Sequence, residues 1–109
     1  MNDIQATLDE RGTRYGDFMG HAEITCELKG TIAQYAITRG KKLEVDQQEA
    51  LDMICHKIGR IINGDPDYAD SWHDIAGYAQ LVANRLNSEL SWLQVWKSKI
   101  VGESFNCSR

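Results

Sequence analysis

The sequence predicts an all-α protein, a single helical domain of four to five helices built around one central antiparallel helix pair. Three observations lead to this prediction. Apolar residues recur at intervals of three and four along much of the 109-residue chain. No segment shows the apolar–polar alternation of a half-buried strand. The chain has one proline, Pro66, and it lies where the turn of the central pair is predicted.

The composition limits the classes of function. Hydrophobic residues make up 42% and charged residues 26% of the chain, which is ordinary for a soluble globular domain. The net charge of −4 disfavours binding to nucleic acid phosphates. No apolar run is long enough for an export signal or a membrane span, so we expect a cytoplasmic protein without a membrane partner. The three cysteines are odd in number and lack metal spacing, which favours reduced thiols.

Two helices are predicted before the central pair. The first covers residues 3–10, ends at Gly12 and is short enough that it must dock on the rest. The second covers residues 17–39, with Asp17 at its start and Gly40 as its stop. Its predicted buried face comprises Ile24, Leu28, Ile32 and Tyr35. Weaker candidates for a functional site on this helix are His21, Glu23 and Glu27.

The segment 11–18, between these helices, is predicted to be a loop. It contains two glycines, Gly12 and Gly16, at positions with special backbone needs. Arg14 and Tyr15 are residue types that hold a phosphate and stack on a base. The alternative is that the aromatic residues only pin the loop to the core while Arg14 pairs with a neighbouring carboxylate.

The first helix of the central pair is predicted to begin at Asp46, with Glu49 completing a capping box. It ends at Gly64, which is expected in the left-handed conformation. Its predicted buried face comprises Leu51, Ile54, Ile58 and Ile61 or Ile62. Asp65 is predicted to cap the second helix, with Pro66 in its first turn. The apolar face of the second helix is predicted to comprise Trp72, Ile75, Ala79, Val82 and Leu86.

Acidic side chains are predicted to face each other across the pair. A tight turn places residues equally far from it opposite each other, so we expect Asp74 near His56 and Asp52 near Gly77. Like charges at close range are unfavourable unless a cation lies among them, which favours a metal or ligand site. The predicted metal ligands are Glu49, Asp52, Asp70 and Asp74. The alternative is purely structural, with Glu49 capping its helix and Asp74 paired with His56 or Arg60.

A last helix is predicted over residues 89–101, capped by Asn87 or Ser88, followed by a frayed tail at 102–109. The core of the domain is expected within about residues 10–86. Trp92 and Trp96 form a large apolar surface on the last helix. They cover the core of their own chain or contact another subunit of a homo-oligomer.

Three strings resemble a small phage and prophage family without an established function: RYGDF (14–18), EALDMICHKIGRIINGDP (49–66) and DSWHDIAGYAQL (70–81). More distantly, the helix pair is similar to the all-α nucleoside triphosphate pyrophosphohydrolases of the MazG type. Those enzymes carry Glu-rich and Glu-x-x-Asp motifs on antiparallel helices, bind magnesium, and split a triphosphate into a monophosphate and pyrophosphate.

The resemblance implies a role for individual residues. Glu49 and Asp52 match the first motif and Asp74 the end of the second, so Glu49 and Asp74 are the expected catalytic residues and Mg²⁺ the expected cofactor. The expected ligand-binding residues are Arg14, Tyr15, His56, Lys57 and Arg60. The Glu-Glu-x-x-Glu string of that family is absent, and Ser71 stands where the second motif has glutamate.

Three functions follow from these observations. The first is a magnesium-dependent nucleotide pyrophosphohydrolase. The second is a non-catalytic nucleotide binder with which a phage sequesters a nucleotide second messenger of host defence, with a second subunit closing the pocket. The third is a helical interaction protein that works through Trp92 and Trp96.

Overall fold

The computed structural model describes the backbone of residues 2–101 and the side chains of residues 3–88. Four helices account for most of it: α1 (Asn2–Tyr15), α2 (Phe18–Thr38), α3 (Val45–Asn63) and α4 (Ala69–Val101). No strand occurs within residues 2–101, so the predicted all-α helical bundle is confirmed. No helix in the described part of the chain has the length and hydropathy needed to cross a membrane.

Helix α3 lies at the centre of the fold. Both α2 and α4 pack on α3, whereas α2 and α4 do not contact each other within the described residues. The three long helices therefore form one layer, with α1 packed against α2 and α3. A single layer of helices buries little, and the buried apolar residues among those described are Ala50, Cys55 and Ile61.

Two ion pairs fix the antiparallel register of α3 and α4. The Lys57 ammonium lies 3.1 Å from an Asp74 carboxylate oxygen. Eleven residues earlier on α3 and eleven later on α4, Arg85 donates hydrogen bonds of 2.6 and 2.8 Å to Asp46. These hydrogen bonds hold the pKa of Asp46 below its usual value. The central antiparallel pair predicted from the sequence is thus present.

The start of α3 differs from the prediction. The N-cap is Glu44, and its backbone N–H donates to the Gln47 side-chain oxygen over 2.9 Å, which closes a capping box two residues before the predicted one. Asp46 lies inside the first turn, where its carboxylate binds Arg85. The predicted capping box of Asp46 and Glu49 is therefore wrong.

Three other predicted helix ends are also wrong. Helix α1 continues through Gly12 to Tyr15, since one helical glycine costs only about 1 kcal/mol. Helix α4 runs unbroken past Asn87 and Ser88, which are weak helix formers but not helix breakers. Asp65 caps a turn rather than α4, because its carboxylate accepts from the Asp67 N–H over 2.9 Å and α4 begins only at residue 69.

Both ends of α2 agree with the prediction. The Asp17 carboxylate caps the helix by accepting from the Gly20 N–H over 3.0 Å. Gly40 follows the helix with φ +63°, and the N–H groups of Gly40 and Lys41 donate back to the last turn. This pair of bonds is a Schellman motif, which requires the left-handed residue that glycine supplies.

The buried faces are shifted from the predicted ones. Tyr35, Trp72 and Leu86 are 54%, 55% and 40% exposed, because no second layer covers the outer faces of α2 and α4. The small residues Thr25 and Ser71 are buried instead. Between α3 and α4 an open groove of about 330 Å³ remains. Its lining is almost wholly apolar: Leu43, Gln47, Ala50, Leu51, Ile54, Ala79 and Val82.

Candidate functional site

The junction of α1 and α2 is fastened to the end of α3 by side-chain and backbone hydrogen bonds. The Asn63 side-chain amide donates to the carbonyl oxygens of Tyr15 and Asp17, each over 2.8 Å. The Asp65 N–H donates to the Arg14 carbonyl over 2.7 Å. This clasp, formed by residues 14–17 and 63–65, joins the first string of the resemblance to the second.

Two glycines make the clasp possible. Gly16 has φ +80°, and a side chain there would also collide with the Asn63 carbonyl. At Gly64 a Cβ would collide with the Arg14 carbonyl and the Tyr15 backbone. Gly64 has φ −133°, so the predicted left-handed conformation is wrong. Gly64 is needed for close approach of two backbones rather than for a positive φ.

Beside the clasp, two arginines lie on two tyrosine rings. The guanidinium carbon of Arg60 is 4.2 Å from the centre of the Tyr15 ring, and that of Arg14 is 4.3 Å from the centre of the Tyr68 ring. The two rings meet edge to face with their centres 6.3 Å apart. We call Arg14, Tyr15, Arg60 and Tyr68 the arginine–tyrosine cluster. It brings together three predicted ligand-binding residues and adds Tyr68.

A histidine pair joins α2 to α3 next to this cluster. Nε2 of His21 lies 3.3 Å from Nδ1 of His56, and the rings are edge to face. Burial lowers the pKa of His56 to about 4, helped by the charges of His21, Arg60, Lys57 and Lys29. Burial, followed by the charge of Arg60, also lowers the pKa of His21. Both rings are therefore neutral at pH 7, and one ring donates an N–H to the other.

The predicted carboxylates do not gather in one place. Asp74 binds Lys57 across the helix pair, Asp70 accepts from the Tyr68 hydroxyl over 2.9 Å, and Asp52 accepts from Gln48 over 3.1 Å. Glu49 is exposed. Within the described residues, no three acidic, histidine or cysteine side chains come close enough to hold a metal ion. The predicted four-carboxylate cluster is thus not formed within one chain.

The register of α3 and α4 gives the reason. The ion pairs place Asp52 opposite Ala79 and Glu49 opposite Val82, farther from the turn than Asp74. At 1.5 Å of rise per residue, Glu49 is displaced by about 12 Å along the helix axis from the level of Asp74. The predicted catalytic residues Glu49 and Asp74 are therefore separated, and the predicted proximity of Asp52 to Gly77 is two residues out of register.

The five predicted ligand-binding residues are related by ring contacts, by the charge of Arg60 and by adjacency along α3. Arg60 lies on Tyr15 and lowers the pKa of His56, which is next to Lys57 on α3. Through Tyr68 the cluster reaches Arg14 and Asp70, and through Lys57 it reaches Asp74. This continuous network, at the end of the molecule where the clasp lies, is the candidate site. It comprises Arg14, Tyr15, His56, Lys57, Arg60, Tyr68, Asp70 and Asp74.

Several site residues were not predicted from the sequence, or were given another role. Tyr68 is absent from the sequence prediction, and Asn63 is predicted to end a helix. His21 is a weak candidate in the sequence because residues near a helix start are commonly solvated; its contact with His56, 35 residues away, is visible only in the structure. The side chains of Trp92 and Trp96, on which the predicted subunit contact depends, lie outside the described residues.

Comparisons with protein-family models, with curated proteins and with solved structures give no match to this chain.

Proposed function

We propose that the protein handles nucleotides, and that it binds a nucleotide at the network described above. The observation that carries the proposal is the convergence of all three strings of the resemblance on that network. Cationic side chains suit the phosphates of such a ligand, and the network offers Arg14, Lys57 and Arg60. The carboxylates of Asp70 and Asp74 suit its hydroxyl or amino groups.

The reaction we propose is that of the MazG type, in which a nucleoside triphosphate is split into a monophosphate and pyrophosphate. Its support is the distant similarity of the helix pair to that family, in which Glu49, Asp52 and Asp74 match the motifs, together with the antiparallel α3–α4 pair. The proposed setting is the cytoplasm of a phage-infected host cell. The ligand would be held with its phosphates toward the basic side chains, and water would attack the phosphate chain.

Magnesium is the cofactor that this reaction implies, and the described residues of one chain do not fit it. Asp70 and Asp74 lie one turn apart on α4, but each already has a partner, and no third acidic group joins them. Magnesium needs several oxygen ligands in octahedral geometry. Hydrolysis therefore requires carboxylates from beyond this set.

A second copy of the chain is the proposed source of those missing groups. The helices form one layer, and large apolar side chains remain exposed on it, among them Phe18 at 79%, Met19 at 69% and Leu81 at 66%. A monomer rarely keeps so much apolar surface in water. We propose a homo-oligomer in which this surface is covered.

Binding without turnover is the second candidate. The observation that favours it is the Lys57–Asp74 ion pair, because a lysine occupies the carboxylate that a catalytic metal would need. A protein of this kind would sequester a nucleotide messenger of host defence.

One experiment tests both candidates. The protein is incubated with a panel of nucleoside triphosphates, deoxynucleoside triphosphates and cyclic nucleotides, with and without magnesium. Products and retained ligand are then separated by chromatography. Pyrophosphate release that is abolished by Asp74→Asn supports hydrolysis. Unaltered nucleotide recovered after denaturation supports sequestration.

The exposed Asp9→Asn variant is the matched control, since the Asp9 carboxylate accepts a hydrogen bond from Gln5 within α1. It is expected to behave as the unmodified protein in both assays. If no nucleotide is retained and none is split under any condition, the proposed function is wrong.

A further inference from the structure

The arginine–tyrosine cluster holds two guanidinium groups in fixed orientations beside the clasp. Each guanidinium lies about 4 Å from a ring centre, within the range of a cation–π contact. The rings themselves contact each other, and the hydrogen bonds of the clasp hold the backbone of Arg14 and Tyr15. The two cations are thus carried by different helices, Arg14 by α1 and Arg60 by α3, and the contacting tyrosine rings connect them.

We propose that Arg14 and Arg60 form a subsite for the phosphate chain of the nucleotide, with Tyr15 and Tyr68 as the aromatic supports that orient them. This inference rests on the proposed function and assigns the phosphates to one part of the network. It also gives Tyr15 a different role from the base stacking expected from its residue type. One face of each tyrosine ring is already covered by a guanidinium group.

The charges of the two arginines are only weakly neutralised by the protein. Arg14 meets Glu10 at 3.5 Å, but the two side chains are 40% and 66% exposed, so water screens the pair. Within the described residues, no carboxylate lies within 4 Å of Arg60. Its charge instead acts on the histidine pair, where it lowers both pKa values.

The geometry suits a phosphate. A guanidinium group that lies on a ring still presents its N–H groups at its edge, where a phosphate accepts two of them side by side. The nearby carboxylates repel a bound phosphate only weakly. Asp74 is paired with Lys57, and Asp70 is exposed and accepts a hydrogen bond from the Tyr68 hydroxyl. An oligophosphate rather than a neutral ligand therefore fits the cluster.

The test measures binding of inorganic pyrophosphate by calorimetry, with the phosphorus NMR signal as a second readout. The unmodified protein is expected to bind it, and Arg60→Gln and Arg14→Gln are each expected to weaken binding at least about tenfold. Arg60→Lys keeps the charge but loses the paired donors, and we expect an intermediate loss. The matched control is Arg39→Gln, because Arg39 also lies on a ring, that of Tyr35, at 5.7 Å. Its affinity should change less than about twofold.

A further measurement uses the unmodified protein alone. An anion beside Arg60 offsets the charge that disfavours protonation of His56, so pyrophosphate should raise the pKa of His56 followed by NMR. A pKa that stays unchanged at saturating pyrophosphate overturns the subsite.

The outcomes also separate this inference from the proposed function. If a nucleotide is bound or split equally well by the unmodified protein and by both glutamine variants, the subsite is wrong and the proposed function stands. If the unmodified protein binds neither pyrophosphate nor any nucleotide, both are wrong.

Discussion

At the scale of single residues, Gly64 is the position where the backbone leaves least room. A Cβ there collides with the Arg14 carbonyl and the Tyr15 backbone, so Gly64→Ala is expected to lower the free energy of unfolding by at least about 2 kcal/mol. Urea denaturation followed by circular dichroism measures the change.

The control for this prediction is Gly77→Ala. Gly77 lies inside α4, and a Cβ there meets nothing within 4 Å. Alanine is the better helix former by about 1 kcal/mol, so this variant should be as stable as the unmodified protein or more stable. Equal loss of stability in the two variants would show that the clasp is not the cause.

The histidine pair gives a prediction about pH. The pKa of His56 is about 4 in the folded protein and near its ordinary value of 6.5 in the unfolded chain. The unfolded chain therefore binds more protons between these values, and the free energy of unfolding should fall as the pH is lowered from about 6.5 towards 4. Above about pH 6.5 the contribution of the neutral His56 to the free energy of unfolding is fully present.

Equilibrium unfolding at several pH values tests the prediction with two variants. His56→Gln should show a weaker dependence on pH in this window than the unmodified protein. His73→Gln, which alters an exposed histidine on α4, should retain the dependence. A His56→Gln profile parallel to that of the unmodified protein would contradict the role assigned to the pair.

Sequence reasoning found most of the site residues but not their partners. Arg14, Tyr15 and Arg60 were identifiable because arginine and tyrosine are typical of ligand sites. The stacking of these side chains could not be predicted from the sequence. Arg60 and its ring are 45 positions apart, and Arg14 and its ring are 54 positions apart, so their contact depends on how the helices pack. Asn63 resembled an ordinary helix stop, and only the folded chain shows that its amide donates to a distant junction.

At the scale of helices, the two partners of the Lys57–Asp74 ion pair between α3 and α4 differ in burial. The Lys57 side chain is 10% exposed and that of Asp74 is 43% exposed. Asp74→Ala leaves a buried ammonium without its partner, whereas Lys57→Met leaves a carboxylate that water can still solvate. We expect Asp74→Ala to be the more destabilising change, by about 1 kcal/mol or more.

Thermal and urea unfolding of the two variants measures this difference. Asp67→Ala, in the turn and exposed, serves as the control and should have little effect. A larger loss in Lys57→Met than in Asp74→Ala would contradict the asymmetry.

The ends of a helix could be predicted from the sequence where they depend on hydrogen bonds between residues that are close in the chain. Asp17 and Gly40 act through residues within four positions, so the ends of α2 were predicted. Asp46 was assigned to a cap although its carboxylate binds Arg85, 39 residues away. Gly12 as a helix end and Asn87 or Ser88 as a helix cap are wrong predictions, because neighbouring residues continue α1 and α4 through them.

At the scale of the whole molecule, the chain is too extended for a compact monomer. Its radius of gyration is 19.8 Å, whereas a compact chain of this length has about 13 Å. Helix α4, with 33 residues, is about 50 Å long and extends beyond the 19 residues of α3. Buried apolar surface stabilises folded chains, and one layer provides little of it.

Light scattering coupled to gel filtration is therefore expected to give a mass of at least twice the 12.3 kDa of one chain. Leu81→Glu, which places a charge on an exposed apolar position of α4, should lower that mass if this face is the contact. Glu23→Gln, at an exposed polar position of α2, should leave it unchanged. A mass of one chain at all concentrations would show that the layer is stable alone.

The predicted cluster of four carboxylates is the part of the prediction that the arrangement of the helices contradicts within the described residues. The sequence correctly indicated an antiparallel pair with acidic residues on both helices. The acids occupy different levels along the helix axis. With Asp74 opposite Lys57, Glu49 lies eight residues and Asp52 five residues from the level of Asp74. The predicted position of Asp74 near His56 already separates Glu49 from Asp74 by seven residues, so the error lies in treating residues on facing helices as one cluster without comparing their levels.

The clasp also determines how the chain tolerates a cut. It joins residues 14–17 to residues 63–65 at the C-terminal end of α3, and the connection between α2 and α3 lies at the other end of α3, with Lys41 and Lys42 exposed. Trypsin cleavage there would sever the polypeptide but leave the two fragments joined by Asn63 and the histidine pair. The same connection is thus the place to insert a fluorescent tag.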